Sequence, residues 1–254
     1  MVVVGNCLYV ESENTKLLID AGVSLKKIET GLKTLNVSPS SLDGILVTHE
    51  HSDHIQSLGN LSKKFNLPVY ANSETFDAMP KQTDKISAEN INKFKVTEKF
   101  QIKDIEVNPF SIPHDAANPC GFNISNNSDK ISIATDIGHM TNDILKQLED
   151  SKFILLESNY DTEVLKCSKY PYLLKQRIAG PNGHLSNEVA SKVINYLLQG
   201  NLKTAMLGHL SKESNFPELA YQTVVDEIIR AGTDVSKLNL SVASRDKVGN
   251  LIHI

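Results

Sequence analysis

Thr48-His49-Glu50-His51-Ser52-Asp53-His54 follows directly on the apolar run Gly44-Ile45-Leu46-Val47. Three histidines and one aspartate therefore crowd the end of what reads as a buried strand. A strand end followed by a tight loop holds short polar side chains in fixed directions, which a metal site requires. Two histidines spaced i, i+2 can grip one ion, while the following aspartate and histidine turn toward a second. Imidazole and carboxylate together suit zinc, manganese or iron better than calcium or copper(I). A polar loop with incidental histidines is the plain alternative, and the density of the cluster argues against it.

Other candidate ligands sit where further strands should end. Ile105–Ile112 runs into Pro113-His114-Asp115, Ile131–Thr135 into Asp136, and Ala205–Leu207 into Gly208-His209-Leu210-Ser211. One His or Asp after a strand is usually structural, but with the cluster these make a complete two-metal set. His49, His51 and His114 are expected to hold the first ion, and Asp53, His54 and His209 the second. Asp136 is expected to bridge them, one carboxylate oxygen to each.

Strands are expected at Cys7–Glu11, Lys16–Asp20, Gly44–Val47, Val69–Ala71, Ile105–Ile112, Cys120–Ser125, Lys130–Thr135, Phe153–Glu157, Thr204–Leu207 and Leu238–Val242. Helices are expected from near Ser24, His54, Ser73, Thr141, Ser186 and Pro217. The helix from His54 places Ile55, Leu58, Leu61 and Phe65 on one face. Ser186 reads as the N-cap of a helix burying Val189, Val193 and Leu197. Asn126-Asn127-Ser128-Asp129 reads as a turn between antiparallel strands. Alternation near both ends with hairpins between them predicts two packed sheets covered by helices. No linker divides the chain, so residues 1–254 read as a single domain.

The 254 residues are 40 % hydrophobic and 22 % charged, which suits a soluble globular protein. A net charge of −4 excludes a global basic field that draws in nucleic acid, although metal ions can supply positive charge locally. Cys7, Cys120 and Cys167 are scattered, with no Cys-x-x-Cys pair, and read as reduced thiols. No signal peptide or bilayer-spanning stretch is legible, so a cytoplasmic location is expected, with no membrane partner.

The order His-x-His-x-Asp-His, His, Asp, His resembles the ligand order of the metallo-β-lactamase fold superfamily, from Asp20 to His209. This resemblance implies a four-layer αβ/βα sandwich of two mixed sheets flanked by helices. It also implies that Asp20 hydrogen-bonds a ligand histidine and fixes its tautomer. The redox flavodiiron branch usually has glutamate where this chain has His51, and a separate flavin domain is lacking. The segments Ser111–Ala116, Leu156–Asp161, Gly183–Asn187 and Leu207–Ser211 resemble the YycJ/WalJ-like family of bacterial hydrolases. That resemblance implies a metal-dependent 5′→3′ exonuclease acting on DNA. Members of the family usually open with a strand and a Gly-Ser-x-Ser-Gly-Asn-like turn. This chain begins Met1-Val2-Val3-Val4-Gly5-Asn6, as if most of that strand were absent.

Glu157-Ser158-Asn159 and Gly183-His184-Leu185-Ser186 are similar to segments of the superfamily's transfer-RNA 3′-processing endonucleases. There a Glu–His pair is thought to deliver a proton to the leaving oxygen, so His184 held by Glu157 is the expected leaving-group acid. Asp53 is expected to orient and deprotonate the water activated by two divalent ions (Zn, Mn or Fe). The stretch Lys166–Arg177 offers lysines, an arginine and tyrosines to a nucleic-acid backbone and bases, or else a solvated helix face over core tyrosines. His139 and His253 lack such context. The alternative activity is a small-molecule hydrolase of thioesterase or lactonase type; a thiolate leaving group needs little protonation, which would make His184 dispensable. A non-enzymatic binding module is disfavoured, because inactive members lose ligands and none of the seven is missing.

Overall fold

The computed structural model describes residues 2–3, 6–127, 129–245, 247–249 and 251–254, the side chains of Val2 and Val3 excepted. Ser128 of the expected polar turn, and Met1, Val4 and Gly5 of the opening segment, lie outside the described residues. The chain forms two compact units. The first comprises the chain up to Pro109 together with Ala116–Cys120 and Ser244–His253.

Its first three strands, β1 (Val2–Val3), β2 (Leu8–Glu11) and β3 (Lys16–Ile19), pair antiparallel in sequence. Helix α1 (Leu25–Thr34) is capped by Ser24, whose hydroxyl accepts from Lys27 N–H. It leads to β4 (Gly44–Leu46), which lies parallel to β3 and is buried throughout. A strand buried on both faces reads as an unbroken apolar run, which is why no alternation is visible there. Next come α2 (Ser52–Ile55) and α3 (Leu58–Phe65), then β5 (Val69–Asn72), α4 (Ser73–Ala78), α5 (Pro80–Thr83) and β6 (Ile91–Phe94). The sheet order is β1-β2-β3-β4-β5-β6, with β4, β5 and β6 parallel. Strand β7 (Phe100–Ile102) pairs antiparallel with β8 (Ile105–Ser111), whose last residues pass into the second unit.

The helix expected to run on from His54 is broken at Gln56–Ser57. Ser57 N–H donates to Ala21 O and its hydroxyl to Val23 O, so both bonds leave the helix for the loop after β3. Ile55, Leu58 and Leu61 are nevertheless buried on one core, with Phe65 packed against it. α1 contributes Ile28 and Leu32 to the same core, and β4 contributes Ile45.

The second unit comprises Phe110–Asp115, Gly121–Ala243 and Ile254. β9 (Cys120–Asn126) and β10 (Asp129–Ala134) pair antiparallel. Then follow α6 (Asn142–Leu148), β11 (Phe153–Glu157), α7 (Thr162–Cys167), α8 (Tyr172–Ile178), α9 (Asn187–Leu197), β12 (Thr204–Gly208), α10 (Pro217–Arg230) and β13 (Asn239–Val242). β10, β11, β12 and β13 are successive parallel neighbours, and every residue of β11 is buried. α6, α9 and α10 cover this sheet through Ile144, Leu148, Ala190, Val193, Ile194, Val224 and Ile228.

Ser186 caps α9 by accepting from Val189 N–H, but Val189 itself is exposed. Val193 and Leu197 are buried as expected, with Ala190 and Ile194 beside them in place of Val189. Two mixed sheets flanked by helices result, the α/β class expected. Strands β1, β6 and β7 and helices α5, α7 and α8 were not anticipated. They are short, and their apolar residues are too few to establish a period.

Candidate metal centre

In parallel sheets the strand ends on one edge collect the loops that carry chemistry. In the first unit, β3 ends at Asp20 and β4 is followed by Val47, Thr48 and His49. Asp20 Oδ1 accepts from Thr48 N–H at 2.9 Å, and Asp20 Oδ2 accepts from Thr48 Oγ1 at 2.8 Å. The same Oδ2 lies 2.8 Å from His54 Nδ1. Thr48 Oγ1 lies 3.0 Å from His49 Nδ1. A hydroxyl that donates to a carboxylate is left with lone pairs, so His49 Nδ1 is the donor to Thr48. His54 Nδ1 likewise donates to Asp20. Both rings then carry their free lone pair on Nε2, the nitrogen that binds a metal.

The three imidazoles stand together, with ring centroids 4.6 Å apart for His49–His51 and 4.2 Å for His49–His54. His49 and His54 are buried, whereas the Asp53 side chain is 60 % exposed. Asn6 Nδ2 lies 3.0 Å from both Asp53 Oδ2 and His54 Nε2, so a single amide donor bridges two candidate ligands. Gly22 makes this packing possible. A Cβ there would sit 1.5 Å from Asp53 O, so only glycine lets the loop after β3 pass under the one after β4.

In the second unit, β8, β10, β11 and β12 lead to His114, Asp136, Glu157 and His209. Asp136, Glu157, His184 and His209 each offer an atom within 4.8 Å of the others. Glu157 is fully buried at their centre. Its Oε1 accepts from His184 Nδ1 at 2.9 Å and from His209 Nδ1 at 2.7 Å. Its Oε2 accepts from the backbone N–H of Ile137 and of Leu185, each at 2.9 Å. Burial alone would raise this carboxyl. The charge and hydrogen bond of His184, and those of His209, outweigh it and hold the group well below the usual carboxylate range. His184 feels the converse: burial lowers its pKa, and the Glu157 carboxylate more than restores it, leaving it raised. His114 Nδ1 donates to Gly183 O at 3.1 Å, and burial leaves its pKa lowered despite the nearby Asp136.

Asp20, Asp136 and His209 all have positive φ, at 61°, 60° and 56°. Left-handed backbone is sparsely populated by such residues and is tolerated where surrounding bonds enforce it. Here it turns each side chain back over the strand end that it follows. Asn159 Nδ2 supports His209 by donating to its carbonyl at 2.7 Å.

His49, His114, Asp136, Glu157 and His209 thus lie at a strand end or just beyond it, whereas His51 caps α2, Asp53 and His54 lie within α2, and His184 lies on the loop between α8 and α9. His49, His51, Asp53 and His54 meet in the first unit; Asp136, Glu157, His184 and His209 meet in the second, with His114 ring-to-ring with His184 at 5.2 Å. Thr48, Asn6 and Asn159 were not assigned from sequence. Thr48 had a signal, since a hydroxyl residue immediately precedes His49. Asn6 and Asn159 had none, because their partners are remote in sequence. His139 and His253 are exposed, as expected for residues outside the site. The donor chemistry suits divalent cations. Four imidazoles have Nδ1 tied to an oxygen acceptor, which leaves Nε2 unprotonated, and carboxylates accompany them.

The β-lactamase superfamily domain matches residues 15–209 of the chain. Exodeoxyribonuclease WalJ of Streptococcus pneumoniae is 37% identical over 233 residues, covering 91% of this chain and 87% of that protein. Exodeoxyribonuclease YycJ of Bacillus anthracis is also 37% identical, covering 92% and 88%. Among solved structures, the metallo-β-lactamase fold protein YhfI from Bacillus subtilis superposes with a TM-score of 0.68 at 17% identity, over 97% of both chains. That fold implies divalent metal ions. No helix among the described residues is long and apolar enough to cross a membrane. A family match over residues 15–209 and 37% identity over most of the chain agree: this chain is a metallo-β-lactamase-fold hydrolase and belongs to the WalJ/YycJ family of that superfamily.

Proposed function

We propose that the chain is a two-metal phosphodiesterase acting on nucleic acid, specifically a 5′→3′ exonuclease on DNA. The observation that carries this reading is the Glu157–His184 pair. A buried carboxylate holds His184 by Nδ1 and raises its pKa, which points Nε2–H outward as a proton donor. Phosphodiester cleavage expels a basic alkoxide and needs such a donor. The names of the relatives, exodeoxyribonucleases, agree with it.

In this reading His49, His51 and His114 hold one ion, Asp53, His54 and His209 hold the other, and Asp136 is shared. What supports that assignment is the superfamily's ligand order together with the Nε2-forward tautomers within each unit. Zinc, manganese and iron all suit such donors. The ions, when bound, supply an acidified water and neutralise charge on the phosphoryl group. The chain's own groups do the rest. The exposed Asp53 carboxylate, with Oδ2 anchored by Asn6, orients the attacking water and accepts its proton. His184 donates its Nε2 proton to the leaving oxygen, and Glu157 stabilises the imidazolium beforehand. Residues 1–254 act as one domain in this reading, because the ligand order runs through both units. The free thiols Cys7, Cys120 and Cys167 fit a reducing cytoplasm.

The test is a time course of end-labelled single- and double-stranded oligonucleotides with zinc and manganese compared, run on wild type, Asp53→Ala and His54→Ala. Shortening from the 5′ end by wild type alone is expected; digestion at the wild-type rate by either variant sinks the mechanism. A thioesterase is not favoured, because a thiolate departs without a proton and makes no use of the His184–Glu157 pair.

A further inference from the structure

Helix α8 contributes no buried residue. At its start stand Tyr172, 71 % exposed, and Leu173, 78 % exposed, the two most exposed large hydrophobic side chains among the described residues. Side by side on a short helix, they form an apolar corner that the fold itself does not use. The tyrosine ring is oriented, since Gln176 Nε2 donates to its hydroxyl at 2.9 Å.

The surroundings are cationic. Lys166–Arg177 carries four cations and no acidic residue, in a chain of net charge −4. Lys166 is paired with Glu163, and Arg177 Nε donates to Asp115 Oδ2 at 2.6 Å. Lys175 reaches a carbonyl, that of Lys166, and among the described residues neither Lys169 nor Lys175 has a carboxylate partner. An exposed aromatic flanked by lysines that lack a carboxylate partner among the described residues matches a polyanion that also presents flat apolar faces.

The far end of α8 is anchored to the candidate acid. His184 N–H donates to Ile178 O at 2.9 Å. Gly183 passes so close that a Cβ there would stand 2.2 Å from both Arg177 O and Ile178 O. From Tyr172 to Ile178 the helix rises about 9 Å, roughly two to three stacked nucleotides.

We propose that Tyr172 and Leu173 form a base-stacking wedge for a single DNA strand, with Lys169 and Lys175 receiving the adjacent phosphates. The wedge engages bases a few nucleotides from the phosphate at His184. It rests on the nucleic-acid reading above and adds the place where the strand is gripped. Stacking tolerates any base, so the wedge confers grip without sequence preference.

The experiment measures binding of the metal-loaded protein to a phosphorothioate oligodeoxythymidylate labelled with fluorescein at its 3′ end, by anisotropy against salt. Turnover of bis(p-nitrophenyl) phosphate, which has no base to stack, is read in parallel. Tyr172→Ala is expected to weaken oligonucleotide binding about tenfold or more, and Tyr172→Phe to bind as wild type. Lys169→Glu with Lys175→Glu should reduce the slope of log affinity against log salt by about 1 to 2. All variants should keep small-ester turnover. Wild-type oligonucleotide affinity in Tyr172→Ala overturns the wedge and leaves the nuclease reading standing. So does equal loss of small-ester turnover, which marks a structural role. A wild-type dimer that Tyr172→Ala dissociates, seen by light scattering, assigns the corner to a second copy and also overturns it. A wild type that neither binds nor cuts oligonucleotides removes both readings.

Discussion

His184 and His209 donate to the same atom, Glu157 Oε1, at 2.9 and 2.7 Å, with ring centroids 5.2 Å apart. One buried carboxylate therefore orients a candidate metal ligand and the candidate leaving-group acid together. Its other oxygen is spent on the backbone at Ile137 and Leu185, so it cannot swing away to serve either ring alone. Removing it perturbs both functions at once, and removing either ring perturbs one.

Glu157→Gln keeps the size of the side chain but loses its charge and half its acceptor capacity. Metal affinity should fall about 10- to 100-fold, and DNA hydrolysis with it. Stability should fall by about 3–5 kcal/mol, because buried donors lose their partner. Metal content by atomic absorption and thermal melting check this; an unchanged metal content defeats the shared-carboxylate account.

His184→Ala should lower kcat on DNA about 10²- to 10⁴-fold with metal content unchanged. On bis(p-nitrophenyl) phosphate, whose leaving group departs without a proton, the loss should be far smaller. Equal losses on the two substrates mean that His184 is not the acid.

Asp20→Asn removes the charge that receives His54 Nδ1–H and lets the ring adopt the other tautomer. Titration calorimetry with zinc should show at least one site weakened about 10- to 100-fold. Asp20→Ala should also cost about 1–3 kcal/mol in stability, since Thr48 N–H loses its acceptor in a buried setting. Two sites of wild-type affinity in Asp20→Asn speak against this positioning role.

Gly22→Ala forces a methyl group into Asp53 O. The backbone has to move, so a loss of about 1–3 kcal/mol and a displaced Asp53 are expected. Melting temperature and zinc titration should fall together; a variant that melts and binds as wild type shows that the loop has slack.

Burial, and then the nearby Asp20 charge, push the Cys7 thiol up to about 12. A raised folded-state pKa gives stability that is fully present below the unfolded value, about 8.5, and is lost as pH rises toward the folded one. Melting temperature should therefore drop as pH climbs above about 8.5, and less steeply in Cys7→Ala. Parallel slopes for the two proteins contradict a buried neutral thiol. Under native conditions iodoacetamide should label the exposed Cys167 and leave Cys7 and Cys120 untouched.

Local sequence carried much of this protein. Apolar runs marked ten of the strands because a strand buried on both faces is apolar along most of its length, as Phe153–Leu156 of β11 is. The His or Asp that follows the runs ending at Val47, Ile112, Thr135 and Leu207 marked a candidate ligand, because the end of a strand is where a side chain can leave the sheet. Ser186 was legible as a cap because a cap bonds only a few residues away. On α9 the expected Val193 and Leu197 are buried but Ala190 takes the place of Val189, since the two fit a helical period equally well and only the sheet beneath decides between them. Tertiary structure alone decided that Glu157 serves two histidines, that Asp20 holds Thr48 as well as His54, that Asn6 reaches Asp53, and that Tyr172 stands in solvent. Those relationships join residues up to 52 positions apart, as in Glu157–His209. Nothing in a local period or spacing encodes which remote strand ends will share a carboxylate; packing of the sheet does.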